Sequence, residues 1–466
     1  MAADATTIAA EVAARAWLDA GGAADVLERL TVTGPAHVLP SPFLVTPAAT
    51  AAIGAASLAV ADLSGAPGAI AIDTAQAGAA VRGERHVRVV GTKPASLWDP
   101  VAGDYPTADG WIRLHTNYPH HRAAALDVLG VAAERDAVAG AVQAWSADAL
   151  EAAVVDAGGC AVALRTADAW RDHPHGRHVL DRPLLAIERV GDAPVEPVVA
   201  AGAGATRPLA GLRVLDLTRV FAGPVATRFL ASWGAEVLRV EAPAFEEPTL
   251  LHIEVGFGKR SCALDLRVEA DRSTFEFLVA TADVVVHGYR PGAMAGLGYS
   301  PEALVALRPG IVVAALSAYG LAGPWRDRRG FDSLVQMSSG IAAEGAAVAH
   351  SDRPVPLPCQ LLDHATGYLL ASGALRALRR RTDEGGSWMV EASLARTAAW
   401  LDSLGRVPGG LDIPEPDVAD VERWCQISPT PWGDVHHVGP TGAIGDLRPQ
   451  WERPPSRPGT DPPAWR

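Results

Sequence analysis

Cysteine is scarce in this 466-residue chain. Cys160, Cys262, Cys359 and Cys425 lie far apart with no CxxC pair, which predicts neither a disulfide framework nor a zinc site and fits a reducing cytosol. Aromatic residues make up only 6% of the chain, against 49% hydrophobic residues with abundant Ala and Gly, so its cores are expected to pack through small side chains. Positive charge is in deficit. The formal net charge of −13 argues against nucleic acid or an anionic membrane as a main partner. No window of about twenty apolar residues is free of charges or helix breakers, so no membrane span is expected. The opening MAADATTIAAEVAARAW has no basic n-region and does not read as a signal peptide. Neither GxGxxG nor GxxxxGK[ST] occurs, which removes the dinucleotide and nucleotide phosphate loops from consideration. A cytoplasmic chain of roughly two or three domains is expected.

What is present is an alternation of strand and helix. LRVLDLT, AEVLRVE, CALDL (262–266), ADVVVHGY and GIVVAALSAYG read as short buried strands, with helices near Val225–Trp233, Ala270–Thr281 and Pro301–Leu307 between them. This pattern predicts an α/β fold with a doubly wound parallel sheet, a Rossmann-like large domain over 208–405. Ligands in such sheets sit at the carboxyl ends of the strands. That rule selects TRVFAGP (218–224), His287-Gly288-Tyr289-Arg290 and Ser317-Ala318-Tyr319-Gly320. Residues 94–193 read as a small α+β domain with a hairpin turning at Asp109-Gly110. Residues 194–207 read as a linker, and 406–466 as a Pro-rich C-terminal tail able only to wrap a surface.

The stretch 354–400 organises the rest. PVPLPCQ is extended, a helical run follows Asp363, arginines crowd the helix C-terminus and WMVEASL forms the next strand. Asp363 stands where strand hands over to helix, and on local sequence alone it reads as an N-cap. Residues 1–93 are helix-rich and read as a degenerate partial repeat of the large domain, with Pro47 aligned over Asp363.

These motifs, PLAGLRVLDLTRVFAGPVATRFLASWGAEVLRVE, GKRSCALDL, ADVVVHGYRPGAMAGLG, LSAYGLAGPW and GFDSLVQMSSG, resemble in sequence and order the family III CoA-transferases of CaiB/BaiF type, which share their fold with the α-methylacyl-CoA racemases. The resemblance covers about 190 residues and places Asp363 at the family's catalytic aspartate. It implies the family III fold, here in permuted order because the small domain precedes the large one, and a homodimer of interlocked rings. It also implies transfer of coenzyme A from an acyl-CoA to a free carboxylic acid through an aspartyl anhydride and an aspartyl-CoA thioester. Coenzyme A is then a substrate, with no permanently bound cofactor and no metal. A covalent carboxylate divides one hard exchange into easier steps.

Candidate contacts to the CoA thioester are Arg219, Phe221 and Ala222 in TRVFAGP, Lys259 and Arg260 in GKRS, Gly288, Tyr289 and Arg290, and Tyr319. Asp332 and Gln336 read as structural. The chain departs from the family pattern at Gly288, where Asn is common, and at Phe221, where several members carry Gln. Basic residues common after RPGxM and after the GAEVxxVE strand are absent too. Two other readings stand beside the transferase. A racemase would need a base where Phe331 stands in Gly330-Phe331-Asp332, and phenylalanine accepts no proton. A non-catalytic acyl-CoA-binding subunit would bind without turnover.

Overall fold

The computed structural model describes residues 5–93, 96–198, 206–243 and 247–466; most of the expected linker, 199–205, lies outside them. The alternating segments build a seven-stranded sheet in the order Lys259–Ala263, Glu236–Glu241, Arg213–Leu217, Val284–His287, Val312–Ser317, Ser387–Ser393, Ala186–Gly191. The first six strands are mutually parallel and the last is antiparallel. Helices cover both faces, which is why the central strand Val284–His287 is buried at every position. From Arg213–Leu217 the chain steps outward to one edge, then crosses to Val284–His287 and steps outward to the other. The winding therefore reverses between these two strands, and the crevice at their carboxyl ends is where this sheet type binds ligands.

Three expectations change. The strand expected at 262–266 is Lys259–Ala263, in parallel register with Val237–Glu241, so Lys259, Arg260 and Ser261 of GKRS are strand rather than loop. The segment 94–193 is not self-contained: its strand Ala186–Gly191 closes the edge of the large sheet, while Gly103–Pro106, Trp111–Leu114 and Ala161–Ala163 form a sheet of their own. The tail does more than wrap. Its hairpin Cys425–Thr430/Gly433–Val438 pairs with Arg88–Val89, and Ala443–Ile444 pairs with the strand Ile70–Asp73.

The helix Leu361–Glu384 runs through the middle of the molecule, packed against Val45–Ser64, Ala222–Ser232 and the strand Ser387–Ser393. The Val45–Ser64 helix is long and apolar enough to cross a membrane by length and composition, yet 94% of its apolar window is buried inside this fold. Its cap residue Leu44 (φ −75°, ψ 56°) and that of the longer helix, Gln360 (φ −82°, ψ 58°), share a conformation. Each helix leads to a strand and a further helix, and Pro47 and Asp363 are both third in their helices.

Gly367 lets the central helix approach Ala222–Ser232. A Cβ there would lie 2.4 Å from the Ala222 carbonyl oxygen and 2.9 Å from the Val225 Cβ. Gly367→Ala is therefore expected to destabilise the protein by about 1–3 kcal/mol through overpacking, despite the better helix propensity of Ala. A denaturant midpoint equal to or above that of the wild type would contradict this close approach.

Candidate active site

A cavity of about 340 Å³ opens at the reversal point of the sheet. Leu217–Gly223 forms one wall and Gly288–Pro291 the next, both at the ends of the two central strands. Leu316–Ala318 and the arginine-rich loop ending at Phe331 continue the lining, and Tyr118, His120 and His121 reach in from the small α+β segment. Asp363 projects from the first turn of the central helix into this lining.

The helix begins at Leu361, and its cap position, Gln360, makes no side-chain cap bond. The capping function falls to Asp332, which is wholly buried and whose Oδ2 accepts the Asp363 backbone N–H at 3.0 Å. The other Asp332 oxygen accepts from the Gln336 amide, and the Gln336 Oε1 accepts the Leu357 N–H at 2.7 Å. Asp363 is thus not an N-cap, and no hydrogen bond from the described residues reaches its carboxylate. Burial raises the Asp363 pKa well above the usual carboxylate range, and the neighbouring Asp332 and Glu84 charges raise it further. Burial lifts Asp332 to about 6, against the opposing effect of its hydrogen bonds. Next to the nucleophile candidate, the His364 Nε2 lies 3.3 Å from the Glu84 Oε2, which ties the site to the N-terminal segment.

The preceding loop is strained. Val220 has φ +67°, a left-handed conformation that a β-branched residue rarely adopts. Its N–H donates to the Glu247 Oε1 at 2.8 Å, and the Glu247 Oε2 accepts from the Arg239 Nη2 at 2.6 Å. Burial alone would raise Glu247, but the Arg239 guanidinium and the hydrogen bonds to it hold its pKa at about 2. Beyond this residue the Ala222 and Gly223 N–H groups, at the start of an 11-residue helix, donate to no described residue.

Part of the chain is similar to known proteins. Residues 209–404 match the family model for CoA-transferase family III. The match covers somewhat under half of the chain. The acetyl-coenzyme A transferase nodX of Hypoxylon pulicicidum is 37% identical over 199 residues, 42% of this chain and 34% of that protein. The probable fatty acyl-CoA transferase Rv3272 of Mycobacterium tuberculosis is 34% identical over 229 residues, 45% of this chain and 58% of that protein. An orthorhombic crystal structure of Rv3272 aligns over 42% of this chain and 58% of its own, with a TM-score of 0.38 and 34% identity. The chain spans about a third and somewhat over half of the lengths of these two relatives.

Within the matched segment, Asp363, Arg219, Phe221, Ala222, Gly288, Tyr289 and Arg290 line one cavity. Lys259 and Arg260 do not. They open the strand Lys259–Ala263, at the amino end of the sheet and away from the ligand end. The Lys259 Nζ is buried against the Asp216 Oδ2 and the Pro224 carbonyl, each at 2.9 Å. Burial brings its pKa down to about 8 in spite of Asp216. Arg260 is spent on the Pro462 and Ala464 carbonyls, so both are structural. Tyr319 is also off the cavity lining: it is 1% exposed and packs edge-on against Trp325 and His175.

The sequence reading missed Tyr118, His120, His121, Arg326, Arg328 and Arg329 on the lining. A signal was present in WRDRRGFD, where three arginines crowd the approach to Phe331. Arg328 is held by Glu151 at 2.6 Å, whereas Arg290 and Arg329 form no ion pair among the described residues. Burial and the neighbouring Arg290 both lower the Arg329 pKa. Burial, with His120 and nearby arginines, brings His121 down to about 3, so this ring is neutral near pH 7. Phe331 stacks on His115 with ring centroids 3.7 Å apart.

Two measurements separate the roles assigned above. Lys259→Met leaves the buried Asp216 charge without its cation and is expected to cost about 3–5 kcal/mol in urea unfolding. The change in Arg290→Met should stay within about 0.5 kcal/mol; equal losses would refute the distinction between structural and cavity-facing cations. The second concerns Asp363. A carboxyl with a raised folded-state pKa is bound more tightly to its proton when folded, so its contribution is present below the unfolded pKa of about 3.8–3.9 and is lost as pH rises through the folded value. Asp363→Asn removes that loss. The variant should match the wild type near about pH 4 and exceed it by on the order of 1–3 kcal/mol near about pH 8. A pH-independent difference would show that burial does not perturb this carboxyl.

Proposed function

We propose that the chain is an acyl-CoA:carboxylate CoA-transferase with Asp363 as its nucleophile. The observation that carries this reading is the pair of aspartates at one helix start. Asp332 satisfies the backbone, which leaves the Asp363 carboxylate without a hydrogen-bond partner among the described residues, on the wall of a cavity lined with arginines. In the reaction, an ionised Asp363 Oδ attacks the thioester carbonyl of an acyl-CoA, and the C–S bond breaks to give an acyl-aspartyl anhydride and CoA thiolate. The thiolate attacks the aspartyl carbonyl, releases the first acid as its carboxylate and leaves an aspartyl-CoA thioester. The acceptor carboxylate reverses these steps, so protons and charges balance without a further reactant.

The Ala222 and Gly223 N–H groups, unpartnered among the described residues and on the lining of the same cavity, would receive the oxyanion. The N–H of Asp363 is not available for that, because Asp332 accepts it. Arg290 and Arg329 would hold the CoA phosphates or the acid, and Phe221, Phe331, Leu316 and Leu394 present apolar surface to the acyl and pantetheine chain. The reading includes a homodimer, a cytoplasmic location and an N-terminal segment that is a partial copy in which Pro47 replaces the carboxylate. Nucleophilic attack needs the ionised carboxyl, so adduct formation is expected to rise with pH through the raised Asp363 pKa.

Intact-protein mass after incubation with a panel of acyl-CoAs tests the reading. A CoA-sized adduct, removed by hydroxylamine and missing in Asp363→Ala, is the expected result. An adduct that survives in Asp363→Ala would move the nucleophile elsewhere. The racemase reading gains one observation, since His121 is neutral and shares the cavity with Asp363. Exchange of the acyl α-proton into deuterated water without any adduct would select it. Neither signal with any donor would select the non-catalytic binding subunit.

A further inference from the structure

A second cluster of chemistry-bearing side chains lies outside the cavity lining, where the C-terminal hairpin meets the N-terminal segment. In the antiparallel pair Cys425–Thr430/Gly433–Val438, Ile427 stands opposite His436 and Cys425 opposite Val438. Residues two apart on a strand share a face, so Cys425 and His436 are diagonal neighbours on one side of the hairpin. Glu422 ends the short helix Val418–Glu422, three residues before Cys425, on the turn that feeds the strand. One ligand atom each from Glu422, Cys425 and His436 lies within 4.8 Å of the other two.

The hydrogen bonding of His436 sharpens the point. Its Nδ1 lies 3.1 Å from the His86 carbonyl oxygen, which can only accept, so Nδ1 carries a proton. In the neutral ring Nε2 is then a bare lone pair, yet it faces the Glu422 Oε2 at 2.9 Å. Two acceptors at that distance repel unless a proton or a cation lies between them. The His436 side chain is only 4% exposed, whereas the Glu422 carboxylate opens to solvent. A backbone carbonyl that fixes Nδ1–H and turns Nε2 outward is also the usual support of a metal-ligating histidine.

We propose that Glu422, Cys425 and His436 form a site for a divalent zinc-type cation, with a water as fourth ligand. The donor set of one thiolate, one imidazole and one carboxylate suits that ion. Tetrahedral coordination at zinc bond lengths separates such atoms by about 3.3–3.6 Å, so the side chains need to move by no more than on the order of 1 Å. Binding releases the thiol proton to solvent and joins sulfur to the metal. The ion would fasten the hairpin and its feeding helix to the segment around His86, and this role is independent of the transferase reading. Linear spacing hides the site because Glu-x2-Cys is completed only when the hairpin returns His436.

Titration of the metal-free full-length chain with Co²⁺ and Zn²⁺ tests the proposal. The wild type is expected to bind one Co²⁺ with a thiolate-to-cobalt charge-transfer band, displaced by one Zn²⁺. Cys425→Ser should abolish the band, and His436→Gln should weaken Zn²⁺ binding by more than about 100-fold. If either variant loses its far-ultraviolet circular dichroism, Glu422→Gln serves instead, since that carboxylate is more than half exposed. It should keep the band while binding Zn²⁺ at least about 10-fold more weakly. No band in the wild type, or Zn²⁺ affinity unchanged in Glu422→Gln, would overturn the site and leave a proton shared between His436 and Glu422.

Discussion

The hydrogen bond from the Asp363 N–H to the Asp332 carboxylate, 3.0 Å long and fully buried, decides what the rest of the site can do. A helix start leaves N–H groups that need acceptors, and an aspartate inside the first turn is a natural candidate to satisfy them. If Asp363 did so, its carboxylate would be turned back on its own backbone and lost to chemistry. Asp332 takes that duty from a separate short helix, itself steadied by the Gln336 amide. The arrangement has an electrostatic consequence. Burial raises the pKa of both carboxyls, the Asp332 charge adds to the effect at Asp363, and both protons are held more tightly than in water. A raised pKa is compatible with nucleophilic catalysis because a poorly solvated carboxylate, once ionised, has little hydration to lose.

The close approach that brings Asp363 to the cavity is a property of small residues. Gly367 lies against the Ala222 carbonyl, and Gly223 is confined in turn, since a Cβ there would meet the Thr218 side chain at 2.4 Å. On its other side the central helix rests on Val45–Ser64, whose alanines present a nearly flat surface, all buried. Its far end is anchored by charge: Arg381 reaches the Asp283 Oδ1 at 2.8 Å, and Arg376 lies over the Trp17 ring, 5.0 Å from its centroid. The composition that looked merely bland, rich in Ala and Gly and poor in aromatics, is what lets two helices and a sheet converge on one carboxylate.

The elements legible in the sequence were those whose signal is local. The β-branched runs gave the strands of the large sheet, and the rule that ligands bind at strand ends led to the Thr218–Gly223 and Gly288–Arg290 loops. Asp363 was legible as a residue of interest, but its role as cap or nucleophile was not, because Asp332 is 31 positions away. Lys259 and Arg260 misled because a basic pair looks solvated. Only the parallel register shows their backbone at the amino end of the sheet, with the Lys259 side chain buried against Asp216 and Arg260 engaged by the tail carbonyls. The tail strands were missed for a related reason. Their partners, Arg88–Val89 and Ile70–Asp73, are more than three hundred residues away, and no local pattern encodes such pairing.

The strained valine ties these levels together. Holding a β-branched residue at φ +67° costs about 1–2 kcal/mol, and such strain persists only where the surroundings over-determine it. Here the determinant is the Glu247–Arg239 pair, which fixes the Val220 N–H from below the loop. The unusual dihedral reverses the chain, so that Phe221 enters the next helix with its ring 5.6 Å from that of His364. His364 in turn meets Glu84, and a Cβ on the adjacent Gly83 would lie 2.1 Å from the Glu254 Oε1. Loop, central helix and N-terminal segment are therefore interlocked within a few residues of Asp363. A glycine at 220 would accept the same dihedral without strain but would also allow the loop many others. The valine restricts that freedom, so the local cost offsets the disorder that a looser loop would bring to the cavity wall.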